Sequence, residues 1–150
     1  MHPAIRSIAS VMLGLVAGSS VNMGLVVAGH MIVPPPPGFD ASSMEALAAT
    51  AHLLGPQHFV FPFLAHAVGT LVGGALAAAL SDGTRLRPAI IVGVFFLLGG
   101  GMNVAAIPAP MWFNVVDMVL AYLPMAWLGW WLAGRVGRKK RRSVDRRVLN

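Results

Sequence analysis

Cysteine is absent from the 150 residues. Disulfides and thiolate metal sites are therefore excluded, and the redox compartment stays undetermined. Charge is scarce as well: Asp, Glu, Lys and Arg make up 11% of the chain against 57% hydrophobic residues, too apolar for an ordinary soluble domain. Lys and Arg are missing altogether from residues 7–84 and 88–134, so the formal net charge of +6 describes mainly a tail and not a binding face. No aromatic residue is interleaved with the basic ones between Arg135 and Arg147. Without rings for base stacking, that tail argues against a nucleic-acid partner. The run Gly99-Gly100-Gly101 lacks a preceding strand and a following Lys-Ser/Thr, so it is no phosphate loop.

What is present is long apolar runs. They predict an all-α integral membrane protein, a four-transmembrane-helix bundle with spans at about 8–33, 58–81, 89–107 and 111–134. Residues 1–134 form the membrane domain, with an outer loop over 34–57, and residues 135–150 form a polybasic tail. The first run is about twice the length of a signal-peptide core and reads as an uncleaved anchor. Pro34 to Pro37 favour stiff, extended backbone and take the chain out of the membrane. Ser42-Ser43-Met44-Glu45 has capping-box spacing, and Met44, Leu47, Ala51 and Leu54 then fall on one face of a short amphipathic surface helix ended by Gly55-Pro56. Ser81 to Pro88 reads as a tight polar turn, and the third span is rather short. Pro124, near the middle of the fourth span, predicts a kink that frees the Leu120 carbonyl.

Arg6, the Arg85/Arg87 pair and the basic tail stand at alternate crossings. The positive-inside rule then puts both termini in the cytoplasm, as an even number of spans requires, and the setting reads as a bacterial inner membrane. The tail is suited to anionic lipids, each basic residue adding about 1 kcal/mol of attraction near the surface. Gly18-Ser19-Ser20-Val21-Asn22 lines up with Gly99-Gly100-Gly101-Met102-Asn103, which points to two duplicated helical hairpins.

Two features carry function. The first is a pair of small-residue faces repeating at four, Gly14 and Gly18 on the first span and Ala65, Gly69, Gly73 and Ala77 on the second, where another helix can approach closely. The second is a set of polar side chains at membrane depth: Asn22, His66, Asn103, Asn114 and Asp117. At about 1.5 Å per residue, all lie in the outer half or middle of the bilayer. An ionised Asp in lipid costs on the order of 2.5–3.5 kcal/mol, so Asp117 must face a partner or water, or be protonated. The functional reading is a polar site in which His66 and Asp117 exchange a proton or bind a cation. The bland reading is interhelical glue, at about 0.6 kcal/mol per hydrogen bond.

Other chemistry finds less support. His66 is a chemically suitable ligand for a haem or pigment; one chain offers poor geometry for the second histidine of a bis-His haem, a single ligand to a pigment stays open, and the cofactor is left unassigned. Glu45, His52 and His58 are candidate ligands of an external metal site, at a spacing that matches no zinc signature. No nucleophile stands with a base, which argues against an enzyme. The size and span number are those of small multidrug exporters, but those require an acid within the first helix and residues 7–39 contain none. Two classes stay open. One is a small transporter or channel-like protein, homo-oligomeric because four short helices enclose little volume. The other is a non-catalytic accessory or assembly subunit that docks its small-residue faces on partner membrane subunits.

Overall fold

The computed structural model describes residues 3–81 and 85–148, with side chains described as far as Val136. The helices are α1 (Pro3–Ile32), α2 (Met44–Thr50), α3 (Val60–Leu80), α4 (Leu86–Ala106), α5 (Met111–Leu120) and α6 (Leu123–Val148), with 3-10 turns at Ala51–Leu53 and Pro56–Phe59. No strand occurs among the described residues. Four segments, Pro3–Ile32, Pro56–Leu80, Leu86–Ala106 and Met111–Val136, are long and apolar enough to cross a membrane. A helix satisfies its own backbone hydrogen bonds, which is what a segment in hydrocarbon needs. The four pack as a bundle and indicate an integral membrane protein.

The helix ends differ from the apolar runs for local reasons. α1 begins at Pro3 and takes Arg6 into its first turns, where the guanidinium Nε donates to the Leu80 carbonyl at 3.0 Å. A cation thus meets an orphan carbonyl at the C-terminal end of α3. α4 starts ahead of Pro88, which falls in its first turn, so the third span has 21 residues and about 31 Å of length, enough to cross. α6 continues unbroken into the basic segment as far as Val148. At its described end the Arg135 guanidinium lies 3.6 Å over the Trp131 ring, a cation–π contact at the edge of the apolar stretch. The turn expected at Ser81 to Pro88 lies partly outside the described residues, as do the side chains of the tail beyond Val136.

α3 is the central helix, with Ala65, Gly69, Gly73 and Ala77 all buried. Its glycines meet those of α1 in antiparallel register. A Cβ added at Gly14 would stand 2.6 Å from the Gly73 oxygen, and one at Gly18 would stand 2.7 Å from the Gly69 oxygen. The reciprocal approaches are 2.7 Å at Gly73 and 2.8 Å at Gly69, so the two backbones touch where no side chain would fit. On the other side of α3, Gly74 lies against Ala126 of α6, and Gly129 of α6 lies against the Leu71 carbonyl. The small buried core beside this spine is Ala67, Ala121 and Tyr122, with Phe63, Phe96 and Met118 packed on it.

Between α1 and α3 the chain crosses one end of the bundle. Phe39 N–H donates to the Pro36 carbonyl at 3.2 Å, closing a turn with Pro37 and Gly38 at its centre. Gly38 has φ +87°, as the third position of a type II turn demands. Asp40 stabilises the next bend by accepting from Ser42, and that hydrogen bonding holds its carboxyl below the usual value. The expected capping box does not form. Ser43, not Ser42, caps α2, its hydroxyl accepting from Ala46 N–H at 3.0 Å, so Glu45 sits too early in the helix to reach back. α2 itself ends at Thr50, whose hydroxyl donates to the Ala46 carbonyl at 2.8 Å and accepts from Asp40 N–H at 3.0 Å.

Candidate functional site

His66 projects from α3 about a third of the way along it, and Asp117 from the last turns of α5. His66 Nδ1 stands 2.9 Å from both carboxylate oxygens of Asp117. The Tyr122 hydroxyl donates to Asp117 Oδ2 at 2.6 Å and lies 3.1 Å from the same Nδ1, which closes a triangle. Asp117 and Tyr122 are almost wholly buried, at 3% and 1% exposure, whereas the His66 side chain keeps 17%. Where Asp117 is ionised, the hydroxyl gives its one proton to the carboxylate, Nδ1–H of His66 is the other donor, and Nε2 is the ring nitrogen left for a proton or a ligand. Thr70, itself fully buried, donates to the His66 carbonyl at 2.7 Å and ties the helix turn below the ring.

The break between α5 and α6 makes this triangle possible. Residues five apart on a continuous helix are rotated by about 140°, so Asp117 and Tyr122 would face different sides. Pro124 has no N–H for the Leu120 carbonyl, and α5 ends there; α6 restarts at Leu123, with Ala126 N–H bonded to the Tyr122 carbonyl at 2.9 Å. Tyr122 then swings beside Asp117. Its ring seats against Gly100, where a Cβ would run into the hydroxyl. The neighbours Gly99 and Gly101 have no such role, since a Cβ at Gly99 meets nothing within 4 Å and one at Gly101 only Met118 at 3.8 Å. Tyr122 was not among the residues singled out from the sequence; the available signal was the chain's single tyrosine two residues before a mid-span proline.

Two members of the triangle, His66 and Asp117, line a cavity of about 410 Å³ that reaches to the loop carrying α2, while Tyr122 faces the cavity on the other side. Its walls are mostly apolar, with Phe59, Phe61 and Phe113 among them, and Met44, Leu47 and Leu54 line its α2 end. A second cavity, of about 350 Å³, lies between α1 and α4. His66, Gly100 and Asn103 line both.

The remaining polar residues do not join the triangle. Asn114 lines the larger cavity and its amide reaches the Ala109 carbonyl at 3.4 Å. Asn103 is exposed on the wall shared by the two cavities. Asn22 lies against Gly69, and its buried Oδ1 has no hydrogen-bond partner, at a cost of about 1–3 kcal/mol for an oxygen so placed. Glu45, His52 and His58 do not converge: among the described residues no three His, Asp or Glu side chains are arranged to hold a metal ion. His52 turns back to the Ala49 carbonyl, and His58 Nδ1 accepts from Gly55 N–H at 3.0 Å while Nε2 lies 3.3 Å from the Pro34 carbonyl.

The fold and the site define a small all-α protein with four candidate membrane spans and a buried acid–histidine–tyrosine cluster beside an apolar cavity. Compared with known proteins, the chain matches no family model, no curated protein and no solved structure.

Proposed function

We propose that the chain is a proton-linked transporter of a small ion or solute, in which His66, Asp117 and Tyr122 form the exchanging centre. The observation that carries this reading is that the bonded His66–Asp117 pair lines the 410 Å³ cavity. Side chains that only glue helices together need no cavity beside them. With Asp117 ionised and His66 neutral, the cluster carries one negative charge in a low-dielectric setting, a state that a proton or a cationic head at His66 Nε2 neutralises. A proton and a charged solute therefore compete for one position, and where the solute is missing the centre carries protons alone, down the membrane potential.

The same topology supports a finer placement. Arg6, Arg85 and the start of the basic segment stand at the end of the bundle opposite α2. By the positive-inside rule this end faces the cytoplasm, the α2 loop faces outward, and the cavity opens to the outside of a bacterial inner membrane. The accessory-subunit reading loses its main motive, because Gly14, Gly18, Gly69 and Gly73 are taken up by α1–α3 packing within the chain.

The test is proton flux into proteoliposomes that enclose a pH-sensitive dye, driven by a potassium diffusion potential. Reconstituted protein should acidify the lumen faster than empty liposomes do. Asp117→Asn and His66→Ala should each fall to the empty-liposome rate. Flux unchanged in both variants, or no flux from the native chain, removes the proposal.

A further inference from the structure

The cavity beside His66 is polar at one end only. Its walls run from Val26 to Val33 on the first span, from Phe59 to His66 on the second and from Gly100 to Ile107 on the third. Each run covers about seven residues, so the cavity extends roughly 10 Å along the bundle at about 1.5 Å per residue. His66 and Gly100 end these runs farthest from α2, and Asp117 is the lining residue of α5 farthest from its outer start at Met111. The bonded His66–Asp117 pair therefore sits at the deep end of a mostly apolar shaft, and the exposed Ala41 and Met44 stand at the other. Among the described residues that line the shaft there is no Lys or Arg, and Asp117 is the one acid. His30 and His58 stand nearer the α2 end, and the Nδ1 of each is engaged with the backbone.

From this we infer that the shaft binds an amphiphilic monoamine, with a primary ammonium head at the His66–Asp117 pair and one slender apolar body reaching toward α2. The sign of the charge follows from the lining. An ammonium beside the pair neutralises the ionised Asp117, which is almost wholly buried, whereas an anion would meet a carboxylate and no compensating cation. A bare metal ion fits no better, since it needs several oxygen or nitrogen ligands and no three His, Asp or Glu side chains among the described residues are arranged to supply them. The body follows from the walls. Phe59, Phe61 and Phe113 offer it ring surfaces, and a second charge along it would lie against them unpaired. Asn114, three residues before Asp117 on the same wall, adds an amide near the head. A cavity of about 410 Å³ has room for a molecule of this kind. That the amine is the solute exchanged for a proton rests on the transporter reading above, whereas its binding does not.

The experiment is equilibrium binding to the full chain in phosphatidylcholine nanodiscs, with empty discs subtracted, at pH 7, where a primary amine carries its proton. The probes are 3-phenylpropylamine, which has head and body; 3-phenylpropanol, whose head is uncharged; 3-phenylpropanoate, whose charge is reversed; and methylamine, which has the head alone. Saturable binding of 3-phenylpropylamine is expected. A hydrogen bond to a charged group corresponds to roughly tenfold or more in affinity, so the alcohol should bind at least about tenfold more weakly. The carboxylate and methylamine should not saturate over the range that fills the site with 3-phenylpropylamine. Asp117→Asn should bind that amine about tenfold more weakly and the alcohol as the native chain does. The comparison of four ligands on unmodified protein stands even if Asp117→Asn fails to assemble. The proposal is overturned by amine uptake equal to that of empty discs, by equal affinity for amine and alcohol, by saturable binding of the carboxylate or methylamine over the same range, or by an Asp117→Asn chain that keeps full amine affinity. Proton flux without amine binding overturns this inference and leaves the transporter reading standing; amine binding without proton flux does the reverse.

Discussion

Tyr122 is the member of the triangle whose loss separates geometry from charge. Tyr122→Phe keeps the ring against Gly100 and removes only the bond to Asp117, and a hydrogen bond to a charged group is worth about 1.5–3 kcal/mol. The variant should unfold earlier in a denaturant titration by an amount in that range and keep part of its proton flux, because His66 still faces the carboxylate. Gly100→Ala should have the same flux defect, since the new methyl group takes the hydroxyl's place, and the double substitution should add little to either. Gly99→Ala, with open space around it, should behave as the native chain; a defect there equal to that of Gly100→Ala overturns the seat assigned to Gly100. Part of this was legible beforehand. Helical rise alone puts His66 and Asp117 at similar depth, but contact between them depends on how α3 and α5 are rotated, and the sequence holds no measure of that. The faces of Asn22, Asn103 and Asn114 were unreadable for the same reason.

At the level of elements, the proline break and the glycine seam do different work. Pro124→Ala restores an N–H for the Leu120 carbonyl and allows α5 and α6 to join into one helix, which would turn Tyr122 about 140° from Asp117. The expected result is the flux of Tyr122→Phe together with a gain in helicity by circular dichroism. Native flux in Pro124→Ala would show that packing of Tyr122 on Gly100, and not the proline, sets the break. The α1–α3 seam is tested by stability alone. Gly73→Leu forces a side chain into the Gly14 carbonyl and should cost at least the 1–3 kcal/mol typical of overpacking, whereas Gly24→Leu, with nothing within 4 Å of its Cβ, should stay within about 0.5 kcal/mol. Equal midpoints for the two variants in a denaturant titration would dissolve the seam. Stripes of small residues are visible in a sequence because their period is that of a helix, but their partners are not. The stripes on the first two spans match each other, and nothing in their spacing distinguished that pairing from docking onto another protein.

For the whole molecule, the consequence of most weight is direction. Every described arginine lies at or beyond the end of the bundle away from α2, and the cavity beside His66 reaches the α2 loop at the other end. If the basic end is cytoplasmic, the exchanging centre is filled from outside, and a potential that is negative inside draws protons toward it. The chain has no cysteine, so single cysteines can be placed without background. Ser42→Cys lies on the exposed loop before α2 and leaves every basic residue in place. In intact cells a membrane-impermeant maleimide should label it. Ser143→Cys, within the basic segment, should react only after the membrane is opened, and again without any change in the charge that sets topology. Labelling in the reverse order would put the cavity mouth in the cytoplasm. It would leave the triangle and its chemistry as they are but reverse the direction in which the proton gradient acts on them, so the flux experiment has to be read with this orientation measured in the same membrane.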